Sequence, residues 1–112
     1  MITVEQLLMT AREEGASDVH ITVGVPPRMR VNGRIANLDY PSLSETDCSK
    51  IIYSIMDDRQ MELFRGNKQI EFALSVPKAG RYRVSAFMQK GLPACVIRLV
   101  TDSVSAPGDI GA

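Results

Sequence analysis

Across residues 69–100 the chain alternates apolar and polar side chains, and this alternation limits what it can fold into. Ile70, Phe72, Leu74 and Val76 fall on one side of a strand, Gln69, Glu71, Ala73 and Ser75 on the other. Pro77-Lys78-Ala79-Gly80 turns the chain into a second strand over residues 81–89. Lys90-Gly91-Leu92-Pro93 turns it again into a third, over residues 94–100. Three strands joined by short turns make an antiparallel meander. In its middle strand Arg81, Arg83, Ser85, Phe87 and Gln89 share one face, and Tyr82, Val84, Ala86 and Met88 the other.

Residues 77–101 carry five Lys or Arg and no Asp or Glu. The whole chain balances 13 basic against 13 acidic residues, so binding of polyanions through net charge is not expected. The distribution is what matters. The acids gather in helix-like segments (Glu13, Glu14, Glu45, Asp47, Asp57, Asp58, Glu62), whereas Arg28, Arg30, Arg34, Arg81, Arg83 and Arg98 lie in strand-like ones. Arg81, Arg83 and Arg98 thus sit on adjacent strands with no carboxylate close to them in sequence. Two readings stand. One is a phosphate clamp, because guanidinium offers planar, permanently charged donors to phosphate oxygens. The other is a solvated sheet face whose arginines pair with helix carboxylates.

The rest of the chain supplies the partners of the meander. Thr3-Val4-Glu5-Gln6 is a capping box, followed by an apolar stripe of Val4, Leu7, Leu8 and Ala11 and a stop at Gly15. Val19, Ile21 and Val23 alternate with Asp18, His20 and Thr22; after Pro26-Pro27, Met29 and Val31 alternate with Arg28 and Arg30. Asn32-Gly33 is a strong hairpin signal, with a short return strand through Ile35. Ser44 caps a helix carrying Ile51, Ile52, Ile55 and Met56, and Asp57-Asp58 starts a shorter one through Met61 and Phe64. The expected fold is one α+β domain over residues 1–100, an antiparallel sheet with its helices mainly on one face. Residues 101–112 lose periodicity and read as the start of a linker.

Cys48 and Cys95 are expected as buried free thiols in a reducing, cytosolic setting, and with one histidine a zinc site is not expected. His20 is expected to be a structural, hydrogen-bonded residue, and Met9, Met29, Met56, Met61 and Met88 to fill gaps in a core poor in aromatics. No Gly-x-x-x-x-Gly-Lys-[Ser/Thr], Gly-x-Ser-x-Gly or His-x-x-x-His occurs, so no catalytic residue is assigned and no hydrolysis is expected from this chain alone. Neutral charge and the lack of a stacking platform speak against a nucleic-acid partner.

Three segments in order resemble one family. They are Gly15-Ala16-Ser17-Asp18-Val19-His20, Val25-Pro26-Pro27-Arg28-Met29-Arg30-Val31-Asn32-Gly33, and Arg81-Tyr82-Arg83-Val84-Ser85-Ala86-Phe87 with Val96-Ile97-Arg98. This set resembles the N-terminal, PAS-like domain of the PilT-type ATPases of type IV pilus retraction (twitching motility), in the secretion ATPase superfamily. The resemblance implies a hexamer at the cytoplasmic side of the bacterial inner membrane, working with the pilus platform there. It implies that a RecA-like domain after the linker, of the same or a neighbouring subunit, binds ATP and magnesium. By the same resemblance Arg83 and Arg98, and with them Arg81, are the expected phosphate-contacting residues. The Pro-Pro hairpin and the start at residue 1 favour the retraction type over the assembly type. The competing expectation is a free-standing PAS-like sensor or adaptor.

Overall fold

The computed structural model describes residues 3–76 and 80–100. Three ten-residue helices, α1 (Val4–Glu13), α2 (Glu45–Ser54) and α3 (Asp58–Asn67), each begin with a reciprocal capping box. The cap pairs are Thr3 with Gln6, Ser44 with Asp47 and Asp57 with Gln60. In each, a side-chain oxygen accepts from the third helical amide while that residue's side chain serves the cap amide, so two orphan donors are satisfied. α3 is as long as α2 rather than shorter, because Arg65 and Asn67 carry it past Gly66 to Lys68, which ends it in the left-handed region at φ 66°.

Six strands follow the alternation: β1 (Asp18–Ile21), β2 (Arg28–Val31), β3 (Arg34–Asn37), β4 (Gln69–Val76), β5 (Gly80–Gln89) and β6 (Leu92–Val100). Asn32 and Gly33, and again Lys90 and Gly91, take positive φ at both turn positions, as tight two-residue hairpins require. The second turn is therefore shorter than expected. Leu92 and Pro93 belong to β6, where Pro93 lies beyond the last β1 partner, Cys95, so its missing amide interrupts no ladder on that side. β1 stops at Ile21, and Val23 lies in the loop behind it. Of the expected turn at residues 77–80, Gly80 belongs to β5, and the rest, like the linker at 101–112, lies outside the described residues.

The strands form a single antiparallel sheet in the order β3-β2-β1-β6-β5-β4. β1 lies beside β6 and so fuses the N-terminal hairpin to the C-terminal meander. All three helices pack on one face, α1 against β1, α2 against β6 and α3 against β4. Between them lies the core: Leu7, Leu8 and Ala11 from α1, Cys48, Ile51 and Ile52 from α2, Phe64 from α3, and Val19, Ile21, Tyr82, Val84 and Ile97 from the sheet. Met29 and Met56 are buried in it, but Met9 is exposed. The expectation of an α+β, PAS-like sheet covered by helices on one side holds.

Candidate anion-binding site

On the face opposite the helices, strand register assembles one row of charges. Arg30 on β2 is opposite Asp18 on β1, Asp18 is opposite Arg98 on β6, and Arg98 is opposite Arg83 on β5. Arg81 lies two residues along on the same face, opposite Val100 on one side and Ser75 on the other. A hollow of about 320 Å³ opens among Arg81, Arg83, Ala73, Ser75 and Val100. The structure thus brings all three expected arginines together. It also adds Arg28 and Arg30, so among the described residues the strands carry five arginines on this face against two carboxylates, Asp18 and Glu71.

Arg98 and Arg83 have carboxylate partners, as the solvated-face reading expects, although none is close to them in sequence. Asp18 accepts from Arg98 Nε at 3.4 Å through Oδ1 and faces Arg30 Nε at 3.5 Å through Oδ2. Glu71, diagonal to Arg83 on β4, sits 3.9 Å from its terminal nitrogen, and both side chains are largely exposed. The partners are strand residues rather than helix residues, because the helices occupy the other face. Their cause is tertiary: the β1–β6 pairing brings position 18 beside position 98. A pair as exposed as Arg83–Glu71 contributes on the order of 0–1 kcal/mol, so it gives way readily to a stronger anion. Asp18 differs, since its side chain is only 14% exposed.

His20 also lies on this face, opposite Arg28 and Val96. Its Nε2 is buried without a hydrogen-bond partner among the described residues, as is Arg28 Nε, so it is not the hydrogen-bonded histidine expected. Burial lowers its pKa, with Arg28 and Arg30 adding to the effect and Asp18 opposing it, which keeps the ring neutral at neutral pH. Cys48 and Cys95 are buried free thiols, as expected. Burial, with Asp47 adding, pushes Cys48 up to about 11, and burial raises Cys95 further. Neither is a nucleophile. Among the described residues no group of His, Cys, Asp and Glu is arranged to hold a metal ion, and no helix is long and apolar enough to cross a membrane.

Sequence reasoning placed the three arginines but missed Arg30 as their neighbour and Asp18 as the group between them. The available signal was modest: Arg28 and Arg30 alternate on one strand face, and Asp18 shares period with His20.

No protein-family model matches the chain. It is 38% identical over 100 residues to the type IV pilus ATPase PilU of Pseudomonas aeruginosa, covering 89% of this chain and 26% of PilU. It is 32% identical over 108 residues to the retraction ATPase PilT of the same organism, covering 96% of this chain and 31% of PilT. The chain therefore spans about a third or less of the curated relatives it matches. A crystal structure of the pilus retraction motor PilT with bound ADP superposes with a TM-score of 0.88 at 33% identity, over 94% of this chain and 31% of that one. Ordered motifs, a shared α+β fold and this similarity agree: the chain belongs to the PilT-type family of secretion ATPases, as the counterpart of their N-terminal domain.

Proposed function

We propose that this chain is the regulatory and oligomerising N-terminal domain of a hexameric motor ATPase that powers type IV pilus retraction at the cytoplasmic side of the inner membrane. Residues 101–112 then begin the linker to a RecA-like domain, and the nucleotide lies between that domain, of the same or a neighbouring subunit, and the sheet face described above. Arg83 and Arg98, with Arg81 beside them, reach its phosphates. The observation that carries this reading is the Arg83–Arg98 cross-strand pair, two guanidinium groups opposed on the face the helices leave open. Like charges directly opposite cost stability, and with Asp18 shared between Arg98 and Arg30 and Glu71 held only by an exposed contact, a further anion between the pair relieves that cost.

The residues fit phosphate rather than metal. Asp18 and Glu71 are both engaged by arginines, which leaves magnesium to groups of the RecA-like domain. A cation that touches the terminal phosphate makes domain position depend on nucleotide state, the logic of other nucleotide-driven switches. The test uses the full-length protein. Arg83→Ala and Arg98→Ala are expected to lower ATP turnover and nucleotide affinity while the domain stays folded; unchanged turnover and affinity in both variants would sink the reading.

A further inference from the structure

We infer that Asp18 is a positioning residue, which fixes the guanidinium groups of Arg98 and Arg30 together and so makes Arg30 a further member of the phosphate-binding row. The inference rests on the reading of this face as a phosphate site.

Asp18 engages both arginines through Nε, the nitrogen at the root of the guanidinium, at 3.4 and 3.5 Å. A carboxylate that simply neutralises an arginine commonly takes it bidentate, using up a terminal nitrogen. Here the terminal nitrogens of Arg98 and Arg30 donate no hydrogen bond among the described residues, and the two side chains are 75% and 44% exposed. The carboxylate is held below them. Ser17, the preceding residue, donates its amide to the Arg30 carbonyl at 2.8 Å and accepts from the Leu99 amide at 2.9 Å. Its hydroxyl donates to Asp18 Oδ2 at 3.4 Å. The backbone beside Asp18 is thereby tied to both strands that carry its arginine partners.

Arg30, Arg98 and Arg83 occupy strands on which β1 separates Arg30 from Arg98, so the row extends over about three strand spacings of roughly 5 Å each. A row of that length, with Arg30 and Arg98 oriented from one shared carboxylate, suits a chain of phosphates better than a single phosphate. Pre-oriented donors lose less freedom on binding, which is how a negatively charged residue can favour an anion.

The consequence has a counter-intuitive sign. Removing a carboxylate beside an anion site tightens anion binding if charge alone matters, and weakens it if the carboxylate orients the donors. The experiment titrates the full-length protein with fluorescent ATP and ADP, each with magnesium, comparing wild type, Asp18→Asn and Arg30→Gln. Asp18→Asn is expected to weaken ATP by about three- to tenfold, the scale of one ordinary net hydrogen bond, and ADP by less. Arg30→Gln is expected to weaken ATP as well, with melting curves unchanged. Unchanged or tighter ATP binding in Asp18→Asn overturns the inference, as does an equal loss for ATP and ADP with a lowered melting temperature. Loss in Asp18→Asn with Arg30→Gln inert removes Arg30 from the row. Arg83→Ala and Arg98→Ala serve as controls: if they are inert the phosphate reading itself falls, and if they alone weaken binding only the positioning role falls.

Discussion

Asp18 and Arg98 are 80 residues apart in sequence yet directly opposite in register, joined by a 3.4 Å contact at the junction of the two halves of the sheet. The position is structural as well as electrostatic. β1 is the shared strand that turns a hairpin and a meander into one six-stranded sheet, and Asp18 is its first residue. The Arg30–Asp18–Arg98 arrangement therefore exists only when that junction forms.

The entry to β5 depends on Gly80. It has φ 98°, and a Cβ placed there would collide with the Arg12 guanidinium, which lies 5.4 Å from the Tyr82 ring centroid. Arg12 Nε also donates to Tyr82 Oη at 3.4 Å. Gly80→Ala is expected to destabilise the domain by about 1–3 kcal/mol, from backbone strain plus displacement of Arg12. Urea unfolding measures this, and a change below about 0.5 kcal/mol, the scale of a neutral surface substitution, would refute it.

His20 makes stability depend on pH. Its folded pKa lies below the ordinary 6.5, so on acidification the unfolded chain takes up the proton first. Stability is full above about pH 6.5, falls as pH drops through that value, and levels off once the folded ring titrates too. Comparing wild type with His20→Asn at pH 7.5 and 5.5 isolates the effect. The variant is expected to lose less stability than wild type between the two; an identical loss would show that His20 contributes none of it.

The thiols should be silent. Cys48 and Cys95 are fully buried and hold their protons above the ordinary thiol range. Native protein at pH 8 is expected to show no fast reaction with a thiol-disulfide reagent, and both cysteines should react once denaturant is added. Rapid stoichiometric labelling of either in the native state would contradict the burial.

α3 owes part of its stability to its first cap. Asp57 Oδ1 accepts from the Gln60 amide at 2.7 Å, shorter than the 3.2 and 3.1 Å of the Thr3 and Ser44 caps. Asp57→Ala is expected to cost about 1 kcal/mol in denaturant unfolding. Because Phe64 anchors α3 in the core, the helix should remain in place, with far-ultraviolet circular dichroism unchanged before the transition.

The sequence by itself determined the elements and the two faces of the sheet. Period two in residues 69–76 and 81–89 fixes which side chains face the helices, because side chains on a strand can only alternate. Asn32-Gly33 fixes the first hairpin, because few residues accept positive φ in succession. Arg83 and Arg98 were legible as residues of adjacent strands, but a four-residue turn at 90–93 would set Arg83 opposite Val100, and only the two-residue Lys90-Gly91 turn brings it opposite Arg98. What only the tertiary structure decided is the β1–β6 pairing. No local pattern names the partner of an isolated strand such as Asp18–Ile21, since strand pairing over 80 residues is settled by which arrangement buries Val19, Ile21 and Ile97 together under the helices. That choice placed Asp18 between Arg30 and Arg98, and converted an apparently unneutralised arginine row into an ordered one.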